Sequence, residues 1–471
     1  MKPMDSHGRH PARALTRREL LKTLSAGFGW TAFAGLAGSS TEPSASNATP
    51  PPLALRPPHL APRARRMIFL CMQGGPAHQD TFDHKPRLKA DHGKASGGRG
   101  RGTQYVGSPF TFRQHGDSGL WISEVLPHLA RQADRLCVVN SMRTDIPNHP
   151  QAFVQLHTGS ARFVRPSMGS WVLYGLGSAN QDLPGFVNIG PPNALGAGNY
   201  GSAFLPGVFQ GTRIAVGRGG PGDTGMSHVS NPRISVEQQR RQLDLVQSMN
   251  RDFQSRTAEP SGDIEAVIEA GELAFRMQAE VPHLMDLSRE SEATRRLYGI
   301  GEDATDAFGR QCLLARRFAE AGTRFIEVNL GGWDQHQNLE TALRKNCRAL
   351  DQPAAALLQD LEARGLLDDT LVLWGGEFGR TPDSRQADGR DHNHQGFSMW
   401  LAGGGIKGGH VHGATDEHGS KAVSDPVHVH DLHATILHCL GLDHERLTYR
   451  YGGRDFRLTD VHGHVVSDLI A

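Results

Sequence analysis

The sequence predicts an α/β fold: a doubly wound, mostly parallel sheet with helices on both faces. Three observations point there. Short apolar runs such as Arg66–Met72 and Thr370–Trp374 are continuous rather than alternating, as strands covered on both faces must be, and Arg324–Leu330 reads as a further strand. Amphipathic stretches of helical period lie between the later runs, in strand, helix, strand order with short glycine loops. Carboxylates and imidazoles follow the runs, where an open α/β sheet presents functional groups to its crevice.

Taken in order, Arg66–Met72 reads as a buried parallel strand that breaks at Gly74-Gly75-Pro76. A Gly-rich basic loop, Lys94–Gly102, precedes an amphipathic stretch from Ser123 to Ala133, with Ser123 as a candidate N-cap. Leu136–Asn140 is a second strand. Residues 188–232 are dense in Gly, Pro and Asn and show no clear element. From Ser235 to about Tyr298 the pattern is charged and helical. Phe308–Ala321 is a helix that Gly322 stops at a plausible C′ position. Leu339–Arg364 is a long amphipathic helix ended by Gly365. Phe397–Ala402 adds a strand, and Val429–Leu440 closes the fold as a helix. No internal repeat is visible.

The chain has 471 residues, enough to bury a large core. Its 50 Lys+Arg balance 49 Asp+Glu, so no basic stripe argues for nucleic acid. No apolar run reaches the roughly 20 residues that span a bilayer, so no membrane span is expected in the mature chain. Thr16-Arg17-Arg18-Glu19-Leu20-Leu21-Lys22, followed by a weakly apolar stretch with small residues near Ala32, Ala34 and Ala37, reads as a twin-arginine export signal over residues 1–37. That places the protein in the periplasm or outside the cell. A Ser/Pro-rich linker, 38–65, is expected to be extended and unpacked. The α/β domain then runs from 66 to 471, with a Gly-rich and helical insertion around 188–300. Five widely spread cysteines contain no Cys-x-x-Cys pair. Cys71, Cys137 and Cys439 read as small buried hydrophobes, and one bridge among the five is allowed.

Chemistry concentrates in the loops. Asp334 and His336 follow the strand 324–330, and a D-x-H spacing lets both reach one ion. Glu377 stands where strand 370–374 runs into Gly375-Gly376. Arg380 just beyond is a candidate for gripping an anionic substrate with its planar fork, or for pairing with Glu377 or Asp391. In Gly389-Arg-Asp-His392, His392 is the candidate ligand and Asp391 its neighbour or orienter. Asp80, with His78 next, is the candidate after the first strand, and Thr81 is a loop hydroxyl or a nucleophile. Oxygen and imidazole donors suit Zn²⁺ or Mn²⁺, with Ca²⁺ as a further candidate. The expected metal set is therefore Asp80, Asp334, His336, Glu377 and His392. With 25 histidines in the chain, one imidazole alone decides nothing.

Several longer segments resemble the DUF1501 family, a sulfatase-like branch of the alkaline phosphatase superfamily. They are Gly74-Gly-Pro76, Trp333-Asp-Gln-His336, Trp374-Gly-Gly-Glu-Phe-Gly-Arg-Thr-Pro382, Gly389-Arg-Asp-His392, Leu401-Ala-Gly-Gly-Gly-Ile-Lys-Gly-Gly409 and Tyr449-Arg-Tyr-Gly-Gly-Arg-Asp-Phe456. The resemblance runs from about Met67 to Ala471. It implies that Glu377 takes the place of a sulfatase metal-binding Asp and that Phe378 replaces the next ligand, which a phenyl ring cannot do. His336 falls where sulfatases carry an active-site His. Cys312-Leu-Leu-Ala-Arg316 departs from the formylglycine motif and lies inside a helix. Counting back from the sulfatase-like helix end at Thr158-Gly159, the nucleophile position falls on His149, which leaves it as ligand, base or nucleophile.

The expected function is an exported metal-dependent hydrolase of phosphate or sulfate esters without a formylglycine nucleophile. Its partner would be an anionic small molecule or polysaccharide, with His149 and Arg380 as catalytic candidates. The alternative is a catalytically silent, sulfatase-like binding protein for anionic polysaccharide or an exported assembly. Neither reading specifies an oligomeric state.

Overall fold

The computed structural model describes residues 51–97, 102–192, 198–215, 234–256, 262–386 and 388–471. The export signal and residues 38–50 of the linker lie outside these residues. The main sheet has nine strands: β1 (Arg66–Met72), β2 (Cys137–Arg143), β3 (Phe186–Ile189), β4 (Thr212–Ile214), β5 (Phe325–Leu330), β6 (Thr370–Gly375), β7 (Phe397–Ala402), β8 (His410–His412) and β9 (Val427–His428). Their order is β8-β2-β7-β6-β1-β5-β3-β4, and β9 also pairs with β2. Every pairing is parallel except those of β7, which runs antiparallel to both β2 and β6.

The position of β1 follows from its composition. Met67 to Met72 are all 0 % exposed, which only a central strand covered on both faces achieves. On one face Phe69 meets His157 of helix α1 (His149–Thr158), ring centroids 5.7 Å apart. On the other, Trp374 of β6 meets Phe82 at 5.3 Å and Trp333 at 6.3 Å, and stacks on Trp400 of β7 at 6.2 Å. Helices α2 (Met168–Leu176), α3 (Asp306–Glu320), α4 (Leu339–Ala363) and α5 (Val429–Cys439) complete the layers. Along α4, Leu343, Cys347, Leu350, Ala354, Leu357, Leu358 and Leu361 are at most 1 % exposed and recur at helical spacing, so one stripe carries the packing.

Four expectations need correction. The stretch from Ser123 to Ala133 is not one helix: Leu120–Ser123 is a hairpin strand paired with Phe112–His115, and a 3₁₀ helix begins only at Leu129. Pro127 interrupts it, removing an N–H and disfavouring helical backbone at the residue before it. Residues 188–232 do contribute to the sheet. β3 reaches into them and β4 lies inside them, strands too short to stand out by pattern; β3 is held by pairing with β5, and β4 by pairing with β3. The linker packs from Leu53 onward: Leu53 is fully buried, Arg56 N–H donates to Leu176 O at 3.0 Å, and Ala64 N–H donates to Cys439 O at 2.8 Å. Backbone donors of a proline-rich segment are few, and here they are spent on the ends of α2 and α5. No bridge forms among the cysteines, since all five are free and buried.

Asn231–Glu272 form a separate compact unit. In it Arg240 holds Glu272 at 2.7 Å, and the Gln247 amide donates to Ile268 O at 3.3 Å.

Candidate metal centre

Four loop or helix-start positions come together at the C-terminal ends of β1, β5 and β6. β5 ends at Leu330, and Gly331-Gly332 lead to Trp333, whose buried indole anchors the loop and leaves Asp334 about half exposed. β6 ends at Gly375, and Glu377 follows, fully buried, with both carboxylate oxygens accepting from Gly74 N–H at 3.0 and 3.2 Å. The two-residue pairing of Gly379–Arg380 with His392–Asn393 brings the third loop alongside. His149 opens α1, where Pro150 at the second position suits a helix start.

Close backbone approach makes this convergence possible. A Cβ on Gly74 would lie 2.6 Å from Asp334 N, and one on Gly389 would lie 1.8 Å from His336 O. Gly74 also takes φ of 116°, a conformation that side chains strongly disfavour.

Three imidazole Nε2 atoms face one carboxylate oxygen, Asp334 Oδ1: His336 at 3.0 Å, His149 at 3.1 Å and His392 at 3.4 Å. Each ring is held from behind through Nδ1. For His149 the partner is Glu377 Oε1 at 2.5 Å, for His336 Asp391 Oδ1 at 3.1 Å, and for His392 Pro147 O at 2.9 Å. Carbonyl and carboxylate oxygens only accept, so each Nδ1 carries its hydrogen and Nε2 is the nitrogen left for the centre. His149 Nε2 is buried and makes no hydrogen bond, despite its distance from Asp334. Donor atoms of His149, Asp334 and His392 all lie within 4.8 Å of one another, and His336 Nε2 lies 3.0 Å from His392 Nε2. Imidazole rings oriented by carboxylates or carbonyls around a shared carboxylate are the donor set of a Zn²⁺ or Mn²⁺ centre, so the residues fit such an ion.

Charges within the group act on one another. Burial disfavours the charged form of His149, but the Glu377 and Asp334 carboxylates outweigh it and raise its pKa. Burial lowers that of His392, with only the Pro147 carbonyl working the other way. Asp334 is held well below the usual carboxylate range: partial burial opposes this, and the Arg380 guanidinium and His149 prevail.

The expected site residues divide accordingly. Asp334, His336 and His392 meet, and His149 joins them. Glu377 is in the group as the partner of His149 Nδ1 and Gly74 N–H rather than among the converging donor atoms. Asp80 is elsewhere engaged: both its oxygens bind Arg390, at 2.7 and 3.1 Å, in a pair with neither side chain exposed. His78 is buried with Nε2 against Gly419 O. Thr81 Oγ1 donates to Ala77 O at 3.0 Å and is an ordinary loop hydroxyl. The Arg380 guanidinium is fully buried and donates to Asp334 Oδ1 at 2.7 Å, Gly75 O at 2.9 Å, Trp333 O at 3.2 Å and also to Gly74 O, which pins the first loop to the second. It pairs with Asp334, not with Glu377 or Asp391. Sequence reasoning missed the Pro147 carbonyl, which no side-chain pattern marks, and the role of Asp391 follows only from where His336 points. Phe378 is buried with its ring 4.6 Å from His149 and 4.8 Å from His392, closing the wall behind them.

A family model described as "Protein of unknown function (DUF1501)" matches residues 64–470. The chain belongs to the DUF1501 family. The match takes in every segment of this centre, and in this DUF1501 chain the Tyr449–Phe456 segment forms a hairpin of Tyr449–Tyr451 with Arg454–Phe456. No curated protein sequence matches it. Solved structures with a similar course of chain include the lipoteichoic acid synthase LtaP from Listeria monocytogenes, with 9 % identity, TM-score 0.33 and coverage of 86 % of this chain and 78 % of that one. The PsFucS1 sulfatase from Pseudoalteromonas sp. has 12 % identity, TM-score 0.32 and coverage of 81 % and 68 %. The alkaline phosphatase from the Antarctic bacterium TAB5 has 9 % identity, TM-score 0.30 and coverage of 73 % and 92 %.

Proposed function

We propose that this DUF1501 chain is an exported, divalent-metal-dependent hydrolase of phosphate or sulfate esters that works without a formylglycine nucleophile. One observation carries the reading: the Nε2 atoms of His149, His336 and His392 face Asp334 Oδ1, each with its Nδ1 hydrogen committed elsewhere. Three imidazoles and one carboxylate favour Zn²⁺, then Mn²⁺, over Ca²⁺. A bound ion would supply Lewis acidity toward an ester oxygen and charge stabilisation as the ester bond breaks. His149 is then a ligand rather than a nucleophile, because both ring nitrogens face acids. Glu377 orients His149, Asp391 orients His336, and Arg380 positions Asp334 as well as the loop carrying it. Asp334 and His336 are 48 % and 41 % exposed at the side chain, which leaves the centre open to an anionic substrate. Export rests on the Thr16-Arg17-Arg18 pattern.

The test combines metal analysis of the purified protein with a screen of aryl phosphates, phosphodiesters and aryl sulfates. Turnover that requires bound metal and is lost in both Asp334→Asn and His392→Ala supports the proposal. Protein that purifies and reloads without metal at this centre would overturn it.

Phe378 favours a second reading. A buried phenyl against His149 and His392 leaves no second ligand next to Glu377, so the centre is suited to one ion where a fuller site would hold two. A silent binding protein for anionic polysaccharide would show glycan binding that survives both substitutions and no turnover of any ester.

A further inference from the structure

A second group of donor atoms lies in the interior, on the face of the sheet that carries Phe69. Phe69 is register partner to Glu327 and Cys71 to Asn329 between β1 and β5, so all four side chains share that face. α1 lies over it and brings His157. His157 Nε2 stands 3.3 Å from Glu327 Oε1 and 3.9 Å from Cys71 Sγ, and the three donor atoms lie within 4.8 Å of one another. None of the three residues is more than 1 % exposed.

The polar atoms here are incompletely satisfied. His157 Nδ1 lies 2.7 Å from Phe153 O, which takes its hydrogen and leaves Nε2 directed at the carboxylate and the sulfur. Glu327 Oε1 accepts from Asn199 Nδ2 at 2.7 Å, but Glu327 Oε2 is buried with no partner, as is Asn199 Oδ1. A carboxylate in a fully buried setting needs a compensating charge and partners for both oxygens. An imidazolium on His157 answers only one oxygen and leaves Glu327 Oε2 without a partner.

We propose that Cys71, His157 and Glu327 hold a second, structural divalent cation, Zn²⁺ by donor chemistry. Thiolate, imidazole and carboxylate together select zinc over the hard cations. Zinc at its usual bond lengths of about 2.3 Å to sulfur and about 2.0 Å to nitrogen and oxygen sets tetrahedral N···S near ~3.5 Å and N···O near ~3.3 Å. The observed 3.9 and 3.3 Å lie within a few tenths of an ångström of those values, and the sulfur and carboxylate lie within 4.8 Å. The ion would fasten β1, β5 and α1, the three elements that lead to Gly74, to Asp334 and from His149. It is distinct from the candidate centre above and shares no residue with it.

Cobalt(II) separates the two sites, because only a cysteine-ligated ion gives a sulfur-to-cobalt charge-transfer band. The full chain would be produced in cobalt-supplemented medium, so that a buried site fills as the protein folds. The expected result is the charge-transfer band with about one equivalent of cobalt beyond that held at His149, Asp334, His336 and His392. The band should vanish in Cys71→Ala and in Glu327→Gln and persist in His392→Ala. Circular dichroism identifies any variant that fails to fold. Cys71→Ser keeps the volume and is a second route to the same readout. A cobalt-loaded protein with no such band, or a band that survives Cys71→Ala, overturns the proposal. Loss of ester hydrolysis in His392→Ala with the band intact bears only on the other centre.

Discussion

His336 Nε2 and His392 Nε2 stand 3.0 Å apart, each with its Nδ1 turned outward to an acceptor, Asp391 Oδ1 and Pro147 O. Two imidazole lone pairs at that distance repel unless a proton or a metal ion lies between them. That requirement gives the candidate centre its most direct tests.

The outward partner of His336 is the first. Asp391 is exposed and buries nothing, so Asp391→Asn should leave the fold intact. With its charge gone, His336 becomes a less basic and less well oriented ligand. Metal affinity should fall roughly 10–100-fold, the usual cost of losing such a partner. Competition against a chromogenic chelator measures it, and an unchanged affinity would remove His336 from the centre.

Gly389 is a steric test of loop convergence. A Cβ there would lie 1.8 Å from His336 O, against backbone that cannot swing aside. Gly389→Ala should force apart the loops carrying His336 and His392, at a cost of about 1–3 kcal/mol in stability. Metal affinity should drop with it. Urea denaturation followed in parallel with metal binding checks both.

The Asp80–Arg390 pair tests what replaced an expected ligand. Both side chains are fully buried and joined by two hydrogen bonds. Arg390→Met strands the Asp80 carboxylate and should destabilise by roughly 3–5 kcal/mol. Asp80→Asn in the same chain should recover much of that loss, because no charge is then left buried. A double-mutant cycle by urea denaturation reads the coupling, and additive effects would contradict the pairing.

Acid stability follows from two buried histidines. Burial pushes the pKa of His78 and of His433 down to about 3, from an ordinary value near 6.5. A depressed folded-state value means that the unfolded chain takes up the proton first. Stability from these groups is therefore complete above about pH 6.5 and is lost as pH falls toward 3, by about 1.4 kcal/mol per pH unit for each. His433→Gln should flatten the fall in urea midpoint over that window, and an unaltered slope would count against burial of the neutral ring.

Much of the fold was legible in the chain. The continuous apolar runs at 66–72 and 370–374, short and ended by paired glycines, and the helical-period stripe along 339–363 appear as β1, β6 and α4. Strands β3 and β4 were not legible. Four and three residues long, they have no periodicity of their own and exist because β5 offers β3 an edge in register and β3 in turn offers one to β4. The break at Pro127 was present in the chain, but an amphipathic pattern that continues past a proline conceals it.

For the site, sequence alone determined the donor chemistry: Asp334, His336 and His392 are where carboxylates and imidazoles follow strand ends and glycine loops. Tertiary structure decided which of them meet. Asp80 carries the same kind of group in the same kind of loop, yet Arg390 claims it, and the Arg380 guanidinium, placed to meet an anion, is spent on Asp334 and the carbonyls beside it. Local pattern specifies what a side chain can bind. Which partner it finds depends on the packing of segments from tens to hundreds of residues apart, and burial makes the nearest complementary charge win.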